Sequence, residues 1–288
     1  MSLNRFKPYP WLVSIQSIPF TKGHGTGNDF IIIPDDNGAL NLSAADVAKM
    51  CDRHFGIGAD GILRVVKSSA QGIDSPETTW FMDYRNSDGS IAEMCGNGLR
   101  VFVHFLHTTG RVSEAEVLIA TRGGIKKVTK LDASTYRIEM GRPVIDVSPL
   151  EVQVANRKYI AASVHIPNPH AVAFVDDLNE IGELQSSPTA NPETAFPEGA
   201  NFEFIKKVGQ NHIAMRVFER GSGETLSCGT GVCAAAVISR LNESQSGDTE
   251  WRVDVKGGTL RVMQNEDGEV SLIGPATLVA DGEFHLEN

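Results

Sequence analysis

The chain has 288 residues, of which 41% are hydrophobic and 22% are charged. This composition is ordinary for a globular protein and too apolar for a disordered one. The formal net charge is −10 and no long basic run occurs, which argues against nucleic acid as a partner. No apolar run approaches the ~20 residues that a membrane span requires. These features predict a cytoplasmic enzyme or binding protein that does not contact a membrane.

Most of the predicted elements are short strands, rich in β-branched and aromatic residues and bounded by Gly, Asn, Asp or Pro. The expected strands in chain order are 29–33, 62–66, 79–84, 116–120, 124–129, 136–140, 159–164, 171–175, 202–207, 212–218, 251–255, 259–263 and 269–273. Residues 43–54 are typical of an amphipathic helix, with Ser43 as N-cap and Asp46 three residues further on. We expect residues 1–17 to form an extension and residues 185–199 to form a surface loop.

Two further helices are predicted to begin directly after a cysteine. Their sequences are CGNGLRVFVHFL from Cys95 and CGTGVCAAAVIS from Cys228, and both become apolar on nearly every face, as a buried helix does. Asn28 and Asn168 each lie directly before an apolar run, and their separation along the chain is similar to the separation of Cys95 and Cys228. The pattern therefore predicts a duplicated unit, with two similar halves that each wrap curved strands around one buried helix.

The four cysteines do not form a metal site or a disulfide framework. No Cys-x-x-C pair is present, and Cys228 and Cys233 are five residues apart, a poor spacing for two ligands on one helix face. We interpret Cys51 and Cys233 as packing residues, because free cysteine is commonly buried as a small hydrophobe. A disulfide between Cys95 and Cys228 is disfavoured by the cytoplasmic prediction.

Cys95 and Cys228 are candidates for chemistry because each precedes a helix. The unpaired amides and the positive end of a helix dipole favour thiolate over thiol, which predicts a pKa below the ordinary value of ~8.5. Inversion of a stereocentre requires a base on one face of a carbon and an acid on the other, with the roles exchanged in the reverse direction. One thiol in each half suits that task.

Five sequence blocks resemble the diaminopimelate epimerase family, in the order in which they occur there. The first cysteine block, NSDGSIAEMCGNGLR at 86–100, is similar to the family motif N-x-D-G-S-x(4)-C-G-N-G-x-R. The other blocks are KGHGTGNDF at 22–30, GIGADG at 56–61, NPH at 168–170 and RVFERGSGETLSCGTG at 216–231. The resemblance extends from about residue 18 to the end of the sequence.

The resemblance implies cofactor-independent epimerisation of L,L-diaminopimelate to meso-diaminopimelate, in lysine and peptidoglycan precursor biosynthesis. It implies an α/β (α+β) fold of two pseudo-symmetric domains, each a curved, mainly antiparallel sheet around a central helix. We assign residues 1–139 and 275–288 to the half with Cys95 and residues 140–274 to the half with Cys228. No metal is expected, and a homodimer is implied.

The resemblance also implies the residues of the site. Cys95 would deprotonate the L,L substrate and Cys228 would protonate the opposite face. The residues expected to hold the α-carboxylate by their amides are Gly96, Asn97, Gly229 and Thr230. The residues expected to bind elsewhere on the substrate are Asn28, Asn168, Asn86, Asn201, Glu219 and Arg220. Of these, Arg220 would bind the distal carboxylate and Glu219 would face the distal ammonium group.

His170 is assigned only a possible supporting role within the NPH block. The chain departs from the family at Pro167, where glycine is usual, and at Gly61, where some members have glutamine. Because proline fixes φ and lacks an amide, Pro167 puts the shape of the loop with Asn168 and His170 in doubt.

Two other functions fit the residues less well. A proline or hydroxyproline racemase-like enzyme would use the same pair of cysteines, but a ring substrate has no distal zwitterion for Glu219 and Arg220. A non-catalytic amino-acid-binding protein would keep the cleft and bind its ligand without exchange of the α-proton.

Overall fold

The computed structural model describes residues 15–73 and 78–287, which form a mixed α/β structure that consists mostly of strands. The first elements are β1 (Ile15–Gly25), β2 (Asn28–Pro34), α1 (Ala44–Cys51), β3 (Gly61–Lys67), β4 (Trp80–Asn86), α2 (Gly96–Thr108), β5 (Glu116–Thr121), β6 (Gly124–Lys130) and β7 (Thr135–Gly141). They are followed by β8 (Val144–Val154), β9 (Arg157–His165), β10 (Pro169–Phe174), β11 (Thr189–Asn191), β12 (Asn201–Gly209), β13 (His212–Glu219), β14 (Gly223–Thr225), α3 (Gly229–Asn242), β15 (Thr249–Val255), β16 (Gly258–Gln264), β17 (Val270–Pro275) and β18 (Thr277–Glu287).

The predicted N-terminus of α1 is confirmed by a reciprocal cap. The Ser43 hydroxyl accepts from the Asp46 amide at 3.2 Å, and the Asp46 carboxylate accepts from the Ser43 amide at 2.8 Å. The helix ends at Cys51, earlier than predicted, because Asp52 adopts an extended conformation. Val47, Met50 and Cys51 of its buried face pack in a small cluster with strand β2.

The helices α2 and α3 lie in the largest hydrophobic core, which contains residues from both parts of the chain. Nearly every residue of α2 from Gly96 to Leu106 is buried, and so is nearly every residue of α3 from Gly229 to Ser239. This burial explains why both sequences are apolar on all faces rather than along one stripe. The strands that α2 contacts are β1 to β4, β6, β7, β17 and β18, whereas α3 packs against β9, β10, β12, β13 and β15 to β17.

The strand pairing repeats itself. Along the first part of the chain, β1–β2 is antiparallel, β2–β3 parallel, β3–β4 antiparallel, β4–β5 parallel, and β5–β6 and β6–β7 antiparallel. The same sequence of directions relates β9, β10, β12, β13, β15, β16 and β17. In each series the buried helix follows the fourth strand, so the predicted duplication is present in the topology.

The two series are joined by pairing between distant strands. β18 is antiparallel to β1, in the position that β8 occupies beside β9, and β17 is antiparallel to β7. All strands therefore belong to one continuous hydrogen-bonded network. The division of the chain at residues 139 and 274 stays a prediction.

The strands predicted from the sequence are all present, with ends shifted by one or two residues. The strands that the pattern did not predict are β1, β8, β11, β14 and β18. Residues 15–17 belong to β1 and not to an extension, whereas residues 1–14 lie outside the described part. The segment 185–199 is not entirely a loop, because it contains β11 and a short 3-10 helix at Glu193–Ala195.

Candidate active site

Cys95 and Cys228 are the N-cap residues of α2 and α3, as the sequence predicts. Each has an extended backbone, and each sulfur accepts a hydrogen bond from the amide three residues later. The donors are Gly98 for Cys95 and Gly231 for Cys228, both at 3.4 Å. The two sulfurs therefore have the same local geometry, each above the first turn of a buried helix.

The first turns of these two helices lie against each other. A Cβ placed on Gly96 would be 3.1 Å from Leu272 Cδ2, and one placed on Gly229 would be 3.0 Å from the same atom. The Gly229 position is also only 3.3 Å from Asn97 Oδ1. The two glycines leave little room for a side chain where the helices approach, and the approach brings the positive ends of two helix dipoles together. Such an arrangement favours an anion between the two N-termini.

The predicted low thiol pKa values are wrong, because the sulfurs are more deeply buried than the sequence indicates. Burial raises the pKa of Cys95 to about 11, despite the amides of Gly98 and Asn97, which favour the thiolate. Burial also raises the pKa of Cys228 well above its ordinary value, and the nearby carboxylates of Glu219 and Glu203 add to the effect. Both thiols are therefore protonated at neutral pH before any ligand binds.

A cavity of about 660 Å³ opens beside Cys95. Among the predicted site residues, those that line it are Asn28, Asn86, Cys95 and Glu219. Glu219 accepts a hydrogen bond from the Thr225 hydroxyl, and its carboxylate lies near enough to Cys228 to raise the pKa of that thiol, which connects the cavity to the second cysteine. Burial raises the pKa of the Glu219 carboxyl.

His170, Asn168 and Asn201 form a hydrogen-bonded group with the buried carboxylate of Glu203. His170 is fully buried, with Nδ1 2.7 Å from Glu203 Oε1 and Nε2 2.9 Å from Asn168 Oδ1. Asn201 Nδ2 lies 3.5 Å from His170 Nδ1, and Asn201 Oδ1 accepts from the Arg220 amide at 2.8 Å. The loop after Pro167 therefore holds Asn168 and His170 in one network, as a supporting role for His170 requires.

Arg220 and Thr230 occupy different surroundings. The Arg220 guanidinium does not line the cavity, because its Nη1 donates to the carbonyl of Glu198 at 3.1 Å. The Thr230 hydroxyl lies 3.4 Å from Cys228 Sγ and lowers the pKa of that thiol, against the larger effect of burial. The structure thus brings Cys95, Asn28, Asn86 and Glu219 together around the cavity, while the Arg220 side chain lies to one side.

A buried cation lies next to this site, at Arg100 in the second turn of α2. Its Nε donates to the Pro275 carbonyl at 3.1 Å and its Nη2 to the Thr26 hydroxyl at 3.3 Å, and it forms no ion pair within the described residues. Burial lowers its pKa to about 10. The Thr26 hydroxyl also lies 2.8 Å from the hydroxyl of Ser227, which precedes Cys228. Arg100 thereby connects the first helix to the segment before the second cysteine.

Five residues in and beside the site were missed by the sequence reasoning. Glu203 carries a signal, because it is a lone acidic residue within the apolar strand β12. Arg100 and Asp60 fall inside motif blocks but had no assigned role. Asp60 accepts a hydrogen bond from Asn28 Nδ2 at 2.8 Å. Thr26 and Ser227 also fall inside motif blocks without an assigned role, and their contact joins residues 201 positions apart.

No group of three His, Cys, Asp or Glu residues that could hold a metal ion occurs in residues 15–73 and 78–287. A search of the same residues for a helix long and apolar enough to cross a membrane also finds none.

Comparison with known proteins identifies the family of this chain. The family model "Diaminopimelate epimerase" matches residues 20–145 and 162–279. A diaminopimelate epimerase of Streptomyces coelicolor is 49% identical over 276 residues, which cover 93% of this chain and 95% of the relative. The chain belongs to the diaminopimelate epimerase family and is an isomerase.

Solved structures confirm the predicted fold class. A PhzF-family phenazine biosynthesis protein of Bacillus anthracis matches with a TM-score of 0.70 at 16% identity, covering 93% of this chain and 99% of that one. A hydroxyproline epimerase of Agrobacterium vitis, solved with trans-4-hydroxy-L-proline bound, matches with a TM-score of 0.67 at 11% identity. It covers 95% of this chain and 92% of its own. At such identities these likenesses concern the fold alone.

Proposed function

We propose that this chain interconverts L,L- and meso-diaminopimelate by proton transfer between two thiols, without a cofactor. The observation that carries the proposal is the pair of cysteine-capped helix N-termini, which approach each other around Leu272 and Asn97. The relatives at 42–49% identity named diaminopimelate epimerase support the choice of substrate.

In the proposed mechanism, one thiol gives its proton to solvent as the substrate binds, so that one sulfur is a thiolate and the other a thiol. The Cys95 thiolate takes the α-proton of the L,L substrate and becomes a thiol, while the Cys228 thiol gives its proton to the opposite face and becomes a thiolate. The meso substrate reacts with these roles exchanged. A thiol of raised pKa is a strong base once it is ionised, which suits removal of a weakly acidic α-proton.

The two helix N-termini would stabilise the charge that develops during the reaction. The amides of Gly96, Asn97, Gly229 and Thr230 head α2 and α3, and the α-carboxylate fits between them as an anion. When the α-carbon loses its proton, negative charge moves onto this carboxylate. Donors that are already oriented stabilise that charge without reorganisation.

The distal amino acid end of the substrate would occupy the 660 Å³ cavity. Asn86 and Glu219 line it, and Glu219 would face the distal ammonium group. We propose that the Arg220 side chain leaves the Glu198 carbonyl and turns toward the distal carboxylate, with its backbone held by Asn201. We propose Asn28 and Asn168 as further hydrogen-bonding partners of the substrate, with His170 in support.

The first experiment is proton NMR of L,L-diaminopimelate with the reduced protein in deuterated buffer. We expect the α-proton signal to disappear and meso product to accumulate. Folded, reduced protein that exchanges no α-proton would refute the proposed function. L-proline in a parallel sample tests the racemase alternative, and binding of diaminopimelate without exchange would instead indicate a non-catalytic binding protein.

The cysteine variants test the two-thiol mechanism. Cys95→Ser and Cys228→Ser are each expected to lower turnover by about three orders of magnitude or more while the protein stays folded, because serine is a far weaker acid than cysteine. Cys233→Ala is the matched control, since Cys233 is a buried packing residue of α3, and it should keep turnover within a few-fold. A single active-site variant with wild-type turnover would exclude the mechanism.

The wider setting is proposed on the same basis. The reaction would serve lysine and peptidoglycan precursor biosynthesis in the cytoplasm, and the chain would act as a homodimer. Light scattering of the purified protein at micromolar concentration tests the dimer directly, where a monomeric mass would contradict it.

A further inference from the structure

The side-chain amide of Asn28 lies between a carboxylate and a thiol. Its Nδ2 is 2.8 Å from Asp60 Oδ2, while its Oδ1 is 3.6 Å from Cys95 Sγ and 3.3 Å from Asn97 Nδ2. A carboxylate only accepts hydrogen bonds, so the group that faces Asp60 must be the NH2 of the amide. The carbonyl oxygen then faces Cys95 and accepts from its S–H.

Besides its contact with Asn28, Asp60 is held in place by hydrogen bonds to its carboxylate and to its backbone. Arg53 Nη2 donates to Asp60 Oδ1 at 2.7 Å, and the Asp29 amide donates to Asp60 Oδ2 at 3.2 Å. The backbone of Asp60 is fixed at both groups, because its amide donates to the Asp29 carbonyl and its carbonyl accepts from the Ser87 amide, each at 3.0 Å. The carboxylate that meets Asn28 therefore has little freedom to move.

The surrounding charges balance one another. Arg53 also donates to both oxygens of Asp29, at 3.1 and 2.8 Å, and Lys22 pairs with Asp29 at 2.7 Å. Together Lys22, Asp29, Arg53 and Asp60 carry two positive and two negative charges, and all four line the cavity beside Cys95. Because the cluster has no net charge, it exerts little net electrostatic effect on the Cys95 thiol. Its main effect is to fix the orientation of the side chains that contact it.

We propose that Asp60 is a positioning residue that fixes the amide of Asn28 with its carbonyl oxygen toward the Cys95 thiol. The orientation itself needs no substrate, and only its effect on turnover rests on the proposed function. The carbonyl oxygen stabilises the protonated thiol and gives the S–H a defined direction. An amide turned the other way would present its NH2 to the sulfur and stabilise the thiolate instead.

Other groups that face Cys95 also favour either its thiol or its thiolate form. The amides of Gly98 and Asn97 and the Arg100 cation favour the thiolate, whereas burial and the Glu219 carboxylate favour the thiol. Tyr84, on β4, also faces Cys95, and burial raises its pKa above its ordinary value, so it is neutral near pH 7. The Asn28 carbonyl is thus one of the few polar acceptors that hold the proton on Cys95.

The pH profile of Cys95 alkylation tests the orientation. Peptide mapping after brief iodoacetamide treatment reports Cys95 separately from Cys51, Cys228 and Cys233, which are all buried. Asp60→Asn allows the Asn28 amide to turn, and we expect the midpoint of the Cys95 profile to fall by about one pH unit, the scale of one hydrogen bond to a thiolate. An unchanged midpoint in folded protein would overturn the proposal.

A double-variant cycle shows whether Asp60→Asn changes the Cys95 midpoint by releasing the Asn28 amide or by removing the charge of Asp60. If Asp60 acts through Asn28, then Asp60→Asn shifts the midpoint in the wild-type chain but not in Asn28→Ala. An equal shift in both backgrounds would mean that Asp60 acts only by its charge, and this would also overturn the proposal. Alkylation uses no substrate, so the result is independent of whether the chain epimerises diaminopimelate.

The wild-type chain provides a second measurement if Asp60→Asn does not fold. The NMR signals of the Asn28 carboxamide, assigned by their loss in Asn28→Ala, should show hydrogen exchange at least tenfold slower than those of exposed asparagines, because Asp60 accepts one N–H. Exchange as fast as that of an exposed asparagine would refute the fixed orientation.

Discussion

Alanine at Gly231 is expected to destabilise the protein, because its methyl group would meet a buried carboxylate. The added Cβ would lie 2.5 Å from Glu203 Oε1 and 3.2 Å from the next two atoms of that side chain. Glu203 cannot move away freely, since it is fully buried and accepts from His170 at 2.7 Å. Overpacking of this kind costs about 1–3 kcal/mol, and disturbance of the buried hydrogen bond adds to it.

Gly98→Ala is the matched control. Gly98 is the third residue of α2, as Gly231 is of α3, so the gain in helix propensity is the same for both. Its added Cβ would lie 3.2 Å from Leu63 Cδ2, a tight distance, but the atom is the end of a flexible side chain that can shift by a few tenths of an ångström. We therefore expect Gly98→Ala to stay within about 1 kcal/mol of the wild type and Gly231→Ala to be about 1–3 kcal/mol less stable than Gly98→Ala.

Urea unfolding followed by circular dichroism measures this difference, with the slope of the transition as a check that both variants unfold in the same way. Gly231→Ala should also lose turnover, because the Gly231 amide contacts Cys228 Sγ. Equal unfolding free energies for the two variants would show that Glu203 relaxes at no cost, which would refute the reasoning.

Two further predictions concern stability alone. Hydrogen bonds from Arg53 and Lys22 outweigh burial and lower the pKa of Asp29 from 3.8 to about 2. Ionised Asp29 therefore stabilises the fold above pH ~4, and this contribution disappears as the pH falls toward 2. The free energies of unfolding of wild type and Asp29→Asn, measured in urea, should converge by about 1–2 kcal/mol over that pH range. A constant difference between these free energies would contradict the role of ionised Asp29. Ser43→Ala removes half of the reciprocal cap of α1 and should cost about 1 kcal/mol without changing turnover, and an unchanged midpoint of unfolding would contradict the role of the cap.

The sequence was most informative where the structure depends on local pattern. Local sequence patterns predicted the capping residues of α1, the two apolar helices after Cys95 and Cys228, and the interior strands. The patterns are hydrophobic periodicity and the glycine and proline residues at the ends of the elements. The same patterns did not predict β1 and β18, because these strands are stabilised by pairing with each other across about 260 residues and both contain glycine within the strand. Such pairing overrides local propensity and leaves no local signal.

The same distinction applies to the candidate site. The two cysteines and their glycines were recognisable because the helix N-terminus that orients them is a local feature. The direction of the thiol pKa was predicted wrongly, because the cost of burial depends on packing between the two parts of the chain. The contacts of Asp60 with Asn28 and of Glu203 with His170 are likewise tertiary, each between residues more than 30 positions apart.

The pairing of β18 with β1 has a consequence for biosynthesis. Ile18 pairs with Phe284, so β1 emerges from the ribosome some 266 residues before its outer partner. At translation rates of roughly 5–20 residues per second, the edge of β1 that pairs with β18 has no partner strand for at least about 13 seconds. During this interval β1 exposes a row of unpaired backbone groups, the usual template for pairing with another nascent chain. The strands around α3 emerge before β18, so they have the opportunity to fold first, and the strands around α2 acquire β18 only afterwards.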